Sequence, residues 1–572
     1  MFGFGKKDEK AEMEQSSPDC TTVGLPNSPP DTVEGVMPAK KQNGTFHDTE
    51  SVISDVTLVA QQEGLKPTFV AKVNVINRAL AEIGMGKYQW EMFLAGGFGW
   101  FADNIWLQGV AIVQPQVSYE WNRPVGQTPN IKYTTLALYA GLIVGASFWG
   151  CSADIIGRRT AWNATLFVGA VFGVAAGGAN NFITFCSLLA CIGFGVGGNL
   201  PVDGTMFLEF LPGTHQYLLT LLSVWWAIGQ VVASLIAWGF LARWNCDHAV
   251  ADPEYICHAS ENMGWRYTYY TLGAMMFVLW IGRFFILPVY ESPKFLISHG
   301  RDQAAVDVIN AVAKRNKHPL RISVEDLHRA VAPFLTEDEK MNAQYETKLS
   351  TMELIKSGLS EFNTSHIKTL FATKRLAIST SLIVFCYGAV GIAYPLFFSF
   401  LGTYLDKKLG AAGSGGTDIN SLYRAYTYQA VCGVPGSFAA AYLVTWSRGG
   451  RKFAMAFFTA MTGVFLFCLT ASKNNVTTQA LTCMASFFAN AFYGVMYGYA
   501  PELFPTPARG TGDALCAAFN RITGIFAPVI AIVAPSLKQN PDGPVMASGG
   551  IFVATGIIML FLPVETNGRT AL

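Results

Sequence analysis

Three ionisable residues stand in stretches that are otherwise apolar. Asp103 lies in GGFGWFADNIWLQG, inside an apolar run from about Met92 to Ile112. Arg521 lies in AAFNRITGIFAP, and Asp203 in GFGVGGNLPVDGTMFLEFLP. A charge at mid-membrane costs about 3 kcal/mol even on the mildest scale, so each is a functional candidate by default. A carboxylate so placed can bind a proton on one side of a membrane and release it on the other. A guanidinium keeps its proton and matches a carboxylate with two parallel hydrogen bonds. The pattern points to Asp103 as a proton-coupling site, Asp203 as a second acid and Arg521 as a substrate anchor. A structural reading stands beside each: Asp103 as a fixed partner of Arg521, or Arg521 in an internal ion pair with Asp103 or Asp203. Arg283, five residues before Pro288, is expected to snorkel to the surface.

Small-ligand sites are mostly apolar, with a few placed polar groups. Asn104, Gln108, Asn199, Gln230, Asn490 and Asn520 can supply the polar groups. The aromatic candidates are Trp106, Tyr387, Tyr394 and Tyr493, with Trp225, Trp226, Phe492 and Tyr497 nearby. Each aromatic taken singly reads as packing; together they suit a flat or aromatic acid better than a bare hexose.

These residues must be positioned by membrane-spanning helices. Only 14% of the 572 residues are charged and 51% are hydrophobic, against about 25% charged in a soluble domain. Mean hydropathy is +0.31. Twelve runs can each cross about 30 Å of hydrocarbon: 91–113, 133–152, 160–180, 182–208, 217–241, 268–288, 376–404, 422–446, 453–471, 477–500, 511–536 and 545–563. The expected class is an all-α membrane protein with twelve transmembrane helices. Its parts are a disordered cytoplasmic tail (1–65), an amphipathic lead-in (66–90), a six-helix bundle (91–288), a cytoplasmic central loop with short helices (289–375), a second bundle (376–563) and a short tail (564–572).

Lysines and arginines at 6, 7, 40, 41, 158, 159, 314, 315, 317, 321, 448, 451 and 452 fall on one face, which should be cytoplasmic and hold both termini. No signal peptide is visible. Cys246 and Cys257 lie on the opposite face, where a disulfide and two free thiols are both open readings. The sequon at Asn475 faces the same way, but its loop hugs the membrane, which argues against glycosylation. No metal cluster or nucleophile–base pair is evident, so neither a cofactor nor an enzymatic activity is expected, and nothing reads as a nucleic-acid binder. The net charge of +1 identifies no partner.

The halves look duplicated. GRR at 157–159 recurs as GRK at 450–452, and EFLP at 209–212 as ELFP at 502–505, both at an offset of 293. The expected architecture is two six-helix pseudo-repeats.

The turn GCSADIIGRRT carries Gly150, Asp154, Gly157, Arg158 and Arg159, and resembles the G-x-x-x-D-x-x-G-R-[RK] signature of the major facilitator superfamily. YESPKFL (from Tyr290), YAPELFPTPARGTG (from Tyr499) and LPVETNGR (from Leu562) resemble sugar-porter elements of that family. IGMGKYQWEMFLAGGFGWFADN and the stretch around Asp203 are similar to the branch of niacin transporters and synaptic-vesicle-protein relatives, kin of organic-ion carriers. A hexose-type Q-L-S element is not evident. The phosphate signature G-G-D-Y-P is broken, reading Gly197, Gly198, Asn199, Leu200, Pro201.

The resemblance spans residues 80–570 and implies the major facilitator fold working by alternating access. It also implies a cytoplasmic gate of Asp154, Gly157, Arg158, Arg159, Glu209, Glu291, Arg451, Glu502, Arg509 and Glu565. In organic-anion carriers a basic residue occupies this region of the eleventh span, which favours an anionic substrate. The expected function is proton-coupled secondary transport of a small organic solute, an anion or carboxylate. A sugar or polyol symporter, a drug-efflux antiporter and a non-transporting nutrient receptor are the alternatives. The expected partners are a small-molecule substrate, protons and the lipid bilayer. The protein is expected to work as a monomer in the plasma membrane.

Overall fold

The computed structural model describes residues 56–61, 65–121, 130–246, 257–287, 289–335, 368–410, 419–446, 449–505, 508–533 and 542–566. Most of the two tails and the central loop beyond 335 lie outside them, as does the side chain of Asp154.

Twelve long helical segments form the body. The first six run Lys87–Trp121, Tyr133–Ile156, Arg158–Gly177, Phe182–Phe210, Gly213–Leu241 and Gly264–Ile286; the second six run Lys374–Gly410, Ile419–Thr445, Gly450–Thr470, Asn475–Leu503, Arg509–Ile530 and Asp542–Met559. Nine of these qualify as membrane spans by length and composition alone among the described residues.

Several helices outrun their apolar cores, for a physical reason. The first has 35 residues because its polar ends are satisfied by protein. At one end, Asn316 accepts from the Tyr88 N–H and donates to Gln89. At the other, Arg266 binds Glu120 through two hydrogen bonds of 2.8 and 2.7 Å.

The two halves pack alike. The first, second and third helices lie on the fifth, fourth and sixth; the seventh, eighth and ninth lie on the eleventh, tenth and twelfth. Between the bundles, the second meets the eleventh and the fifth meets the eighth, the two contacts a pseudo-twofold axis exchanges.

Both Gly-Arg turns are built the same way. Gly157 (φ 97°) and Gly450 (φ 65°) hold left-handed backbone that favours glycine. After each, a glutamate from a distant segment caps the new helix. Glu291 accepts from the N–H groups of Arg158 and Arg159 at 3.0 and 3.3 Å, and Glu565 from those of Arg451 and Lys452 at 2.9 and 3.3 Å. Carboxylates there complement the helix dipole and satisfy orphan donors.

On this Gly-Arg face, the lead-in helix Pro67–Ile83 buries Val70, Val73, Ile76 and Leu80 against short helices of the central loop, Pro293–Ser298, Asp302–Arg315 and Val324–Val331. Lys72 pairs with Asp302. On the opposite face, Cys246 and Cys257 form a disulfide with their Cα atoms 5.9 Å apart.

Candidate functional site

The centre of the molecule is an ion pair that joins the two bundles. Asp103, on the first helix, has no solvent exposure, and Arg521, on the eleventh, is nearly buried. Arg521 Nη2 donates to both carboxylate oxygens, at 3.2 and 3.3 Å. Trp226 Nε1, from the fifth helix, donates to Asp103 Oδ2 at 3.2 Å. Tyr139, from the second helix, lies beside the guanidinium.

Aromatic rings enclose this pair. Trp226 lies 5.0 Å from Tyr493 and 6.0 Å from Tyr394, and those two tyrosines are 5.0 Å apart. Tyr497, one helical turn from Tyr493 on the tenth helix, meets Tyr387 at 5.3 Å and Trp100 at 5.7 Å. The walls are thus apolar faces carrying hydroxyl and indole edges around one charge pair.

The polar candidates divide by what they hold. Asn104 donates to the Trp226 carbonyl at 2.7 Å and fixes the first helix to the fifth. Gln108 donates to Ser234 and accepts from Gln230, each at 3.2 Å. Asn520 donates to the Tyr387 carbonyl at 2.8 Å, and Tyr387 Oη donates to the Met496 carbonyl at 3.1 Å. Asn490 is tied within the second bundle to Gly433 and Ser437. Trp106 points away from the central pair, packing on Tyr269 and Met276 of the sixth helix.

A second buried pair lies inside the first bundle. Arg283 has no exposure, which corrects the expectation that it snorkels. The last turn of the sixth helix is a π turn, Gly282–Ile286, and carries Arg283 inward. Its guanidinium binds both oxygens of Asp203 at 3.4 and 3.2 Å, and donates to the carbonyls of Trp162 and Ala95. It also stacks 4.4 Å over the Trp162 ring. Four helices therefore converge on one cation. Gly99 makes room: a Cβ there would collide with Asp203 Oδ2. Asn199 donates to the Gly99 carbonyl at 3.4 Å and belongs to this cluster.

The third group sits on the Gly-Arg face. Arg158 pairs with Glu209, and Arg451 pairs with Glu502 at the positions 293 residues on. Two contacts cross between bundles there: Arg509 binds Glu209 at 3.1 Å, and Arg451 donates to Thr220 at 3.1 Å. The side chain of Arg159 projects outward, and only its backbone joins Glu291. Lys294 is buried beside them; desolvation, then the neighbouring Arg509 and Arg158, push its ammonium well below the usual lysine range.

Paired helices, a buried ion pair between two bundles and a doubled Gly-Arg turn suit one transporter architecture, and the sequence profile of the Major Facilitator Superfamily matches residues 92–528. The chain belongs to this superfamily. It is a multi-pass membrane transporter, not an enzyme. It is 40% identical to the MFS siderochrome iron transporter 1 of Ceriporiopsis subvermispora, over 93% of this chain and 98% of the relative. It is 39% identical to the major facilitator-type transporter hxnZ of Emericella nidulans, over 88% of each. Among solved structures, the proton:xylose symporter XylE bound to 6-bromo-6-deoxy-D-glucose matches with a TM-score of 0.63 at 14% identity, covering 84% of this chain and 97% of that one.

Sequence reading of this transporter missed Tyr139, and it placed Arg283 at the surface. Tyr139 carries no signal of its own in a run of apolar residues. Arg283 carries a faint one: Trp162, its stacking partner, is a lone tryptophan just past the Gly-Arg turn.

Proposed function

We propose that this transporter carries a small organic anion together with a proton, with Asp103 as the proton site and Arg521 as the substrate anchor. The observation that carries the reading is the Asp103–Arg521 pair, which bridges the two bundles among buried aromatic rings. Protonating Asp103 removes the countercharge of Arg521. A buried guanidinium without a countercharge is costly, so proton loading alone is unfavourable. A substrate carboxylate restores the balance by accepting two hydrogen bonds from the guanidinium. The rings of Trp226, Tyr394 and Tyr493 can flank a planar body. With both cargoes released, Asp103 and Arg521 pair again and the empty carrier can return. One proton with one monoanion moves no net charge.

In the same reading, the Glu209–Arg509 and Arg451–Thr220 contacts are the gate that closes the cytoplasmic side, and both termini lie in the cytoplasm. The plasma membrane and a monomeric working unit complete the proposal. Asp203, locked within one bundle, serves as a structural acid and not as a second proton carrier.

A second reading draws on the relative named for siderochrome iron: the cargo of this chain is then a ferric siderochrome. The deciding experiment is uptake into vesicles holding the purified protein, with and without an inward proton gradient. The panel is labelled nicotinate, benzoate, a neutral hexose and a ferric siderochrome, tested on the native chain, Asp103→Asn and Arg521→Lys. Gradient-driven uptake of the planar acids, lost in both variants, is the expected result. Uptake of hexose alone, or acid uptake indifferent to gradient and substitutions, overturns the proposal; uptake of the siderochrome alone transfers it to the second reading.

A further inference from the structure

The base of the first helix and the end of the loop helix Asp302–Arg315 meet in a cationic patch beside lipid-facing aromatic surface. Asn316 hydrogen-bonds the Tyr88 N–H and Gln89, and Arg315 binds Glu91 at 3.0 and 2.6 Å. This docking sets the start of the first helix, with Lys87, against the chain segment that carries Lys314, Lys317 and Arg321, and all four cations are exposed. Glu91, the acid within this contact, is already taken by Arg315, with Lys87 3.8 Å away and 65% exposed. Lys87, Trp90 and Leu94 then form one stripe at helical spacing: a cation, an indole exposed by 53% and an aliphatic side chain exposed by 36%. That order matches the passage from water through the headgroup layer into hydrocarbon.

Lys317 adds an independent sign. It is the non-glycine residue with positive φ among the described residues, at 57°. It follows the helix end, where glycine or asparagine is the usual occupant. The His318 N–H returns to the Ala313 carbonyl at 2.8 Å, closing the helix as a glycine-terminated one would close. A lysine there is an unfavourable backbone choice that puts a cation in the patch.

We propose that this patch binds the headgroup of an anionic phospholipid in the leaflet on the Gly-Arg face, with Trp90 at the headgroup level and Lys87, Lys314, Lys317 and Arg321 around the phosphate. Cations near an anionic surface attract it at a strength that salt screens. The site is independent of the transport reading, since none of its residues is among the partners of the Asp103–Arg521 pair.

The test uses the full chain in nanodiscs of phosphatidylcholine, with or without phosphatidylserine. Retained phosphatidylserine is counted by native mass spectrometry. Quenching by brominated phosphatidylserine is compared with quenching by brominated phosphatidylcholine. The expected result is preferential retention and quenching by the anionic lipid, with the quenching difference lost in Trp90→Phe. Replacing Lys87, Lys314, Lys317 and Arg321 by glutamine should lower retention steeply, about fivefold for each cation removed. Lys317→Gly keeps the patch testable if the fourfold variant misfolds. It should raise the melting temperature by relieving the backbone while lowering retention, two effects of opposite sign that a purely structural lysine cannot give. Equal quenching by both lipids, retention unchanged in Lys317→Gly, or displacement of the lipid by soluble glycerophosphoserine overturns the proposal.

Discussion

Two buried aspartate–arginine pairs each take an acid from the first bundle, and their settings are opposite. Asp103–Arg521 joins helices of different bundles, with aromatic edges around it. Asp203–Arg283 joins helices of one bundle, and its arginine is also held by two carbonyls and an indole face. Any rocking of one bundle against the other must separate or reorient the first pair and leaves the second intact. The same two residue types thus make a contact fit for switching in one place and a fixed joint in the other. What separates them is which helices they connect, not how deeply they are buried.

That contrast can be broken most sharply at the fixed joint. Arg283→Met leaves the Asp203 carboxylate buried without its cation, and the expected loss is about 3–5 kcal/mol of stability. The double variant with Asp203→Leu should regain most of it, since removing both charges spares the desolvation cost. Melting of the purified variants checks this; an Arg283→Met protein that melts like the native chain would remove the distinction.

The bridging pair should show its effect in transport. Asp103→Asn keeps a group that can accept from Trp226 but leaves the buried Arg521 guanidinium without its countercharge, so some stability is lost as well. Gradient-driven uptake should fall by at least about tenfold, as expected for loss of a positioned proton-transfer group. Substrate exchange across the membrane without a gradient should persist. A variant that loses exchange along with driven uptake makes Asp103 a binding residue only.

The charge balance gives a milder test. If a proton and a monoanion cross together, a membrane potential alone should not drive uptake, whereas a pH gradient should. Uptake driven by potential in proton-tight vesicles contradicts that stoichiometry.

The duplicated turns give the smallest expected effect. Gly157→Ala and Gly450→Ala each force a side chain into positive φ, at about 1–2 kcal/mol, and press a Cβ on Glu291 or Glu565 at 2.6 or 2.9 Å. Similar losses in melting temperature are expected from both. A loss confined to one turn means the repeats have diverged in what they bear.

Much of this was legible in the chain. The apolar runs, the 293-residue repeat and the two Gly-Arg turns define the helices and their doubled order, because membrane crossing leaves helix as the economical way to satisfy backbone polar groups. Asp103 and Arg521 stood out for the same reason. Tyr139 did not, because a tyrosine in a span looks the same whether it faces lipid or a guanidinium. Nor did the helix ends, since Glu120 and Gln89 are polar residues whose partners lie more than a hundred positions away.

Sequence by itself determined that this is a twelve-helix membrane protein with charges placed where they are costly. Which charge meets which was decided only in three dimensions. Asp103 and Arg521 are 418 residues apart and Asp203 and Arg283 are 80, so no local pattern encodes either pair. Helix rotation and bundle packing select the partners, and Arg283, within the π turn Gly282–Ile286, lies in the core against Asp203.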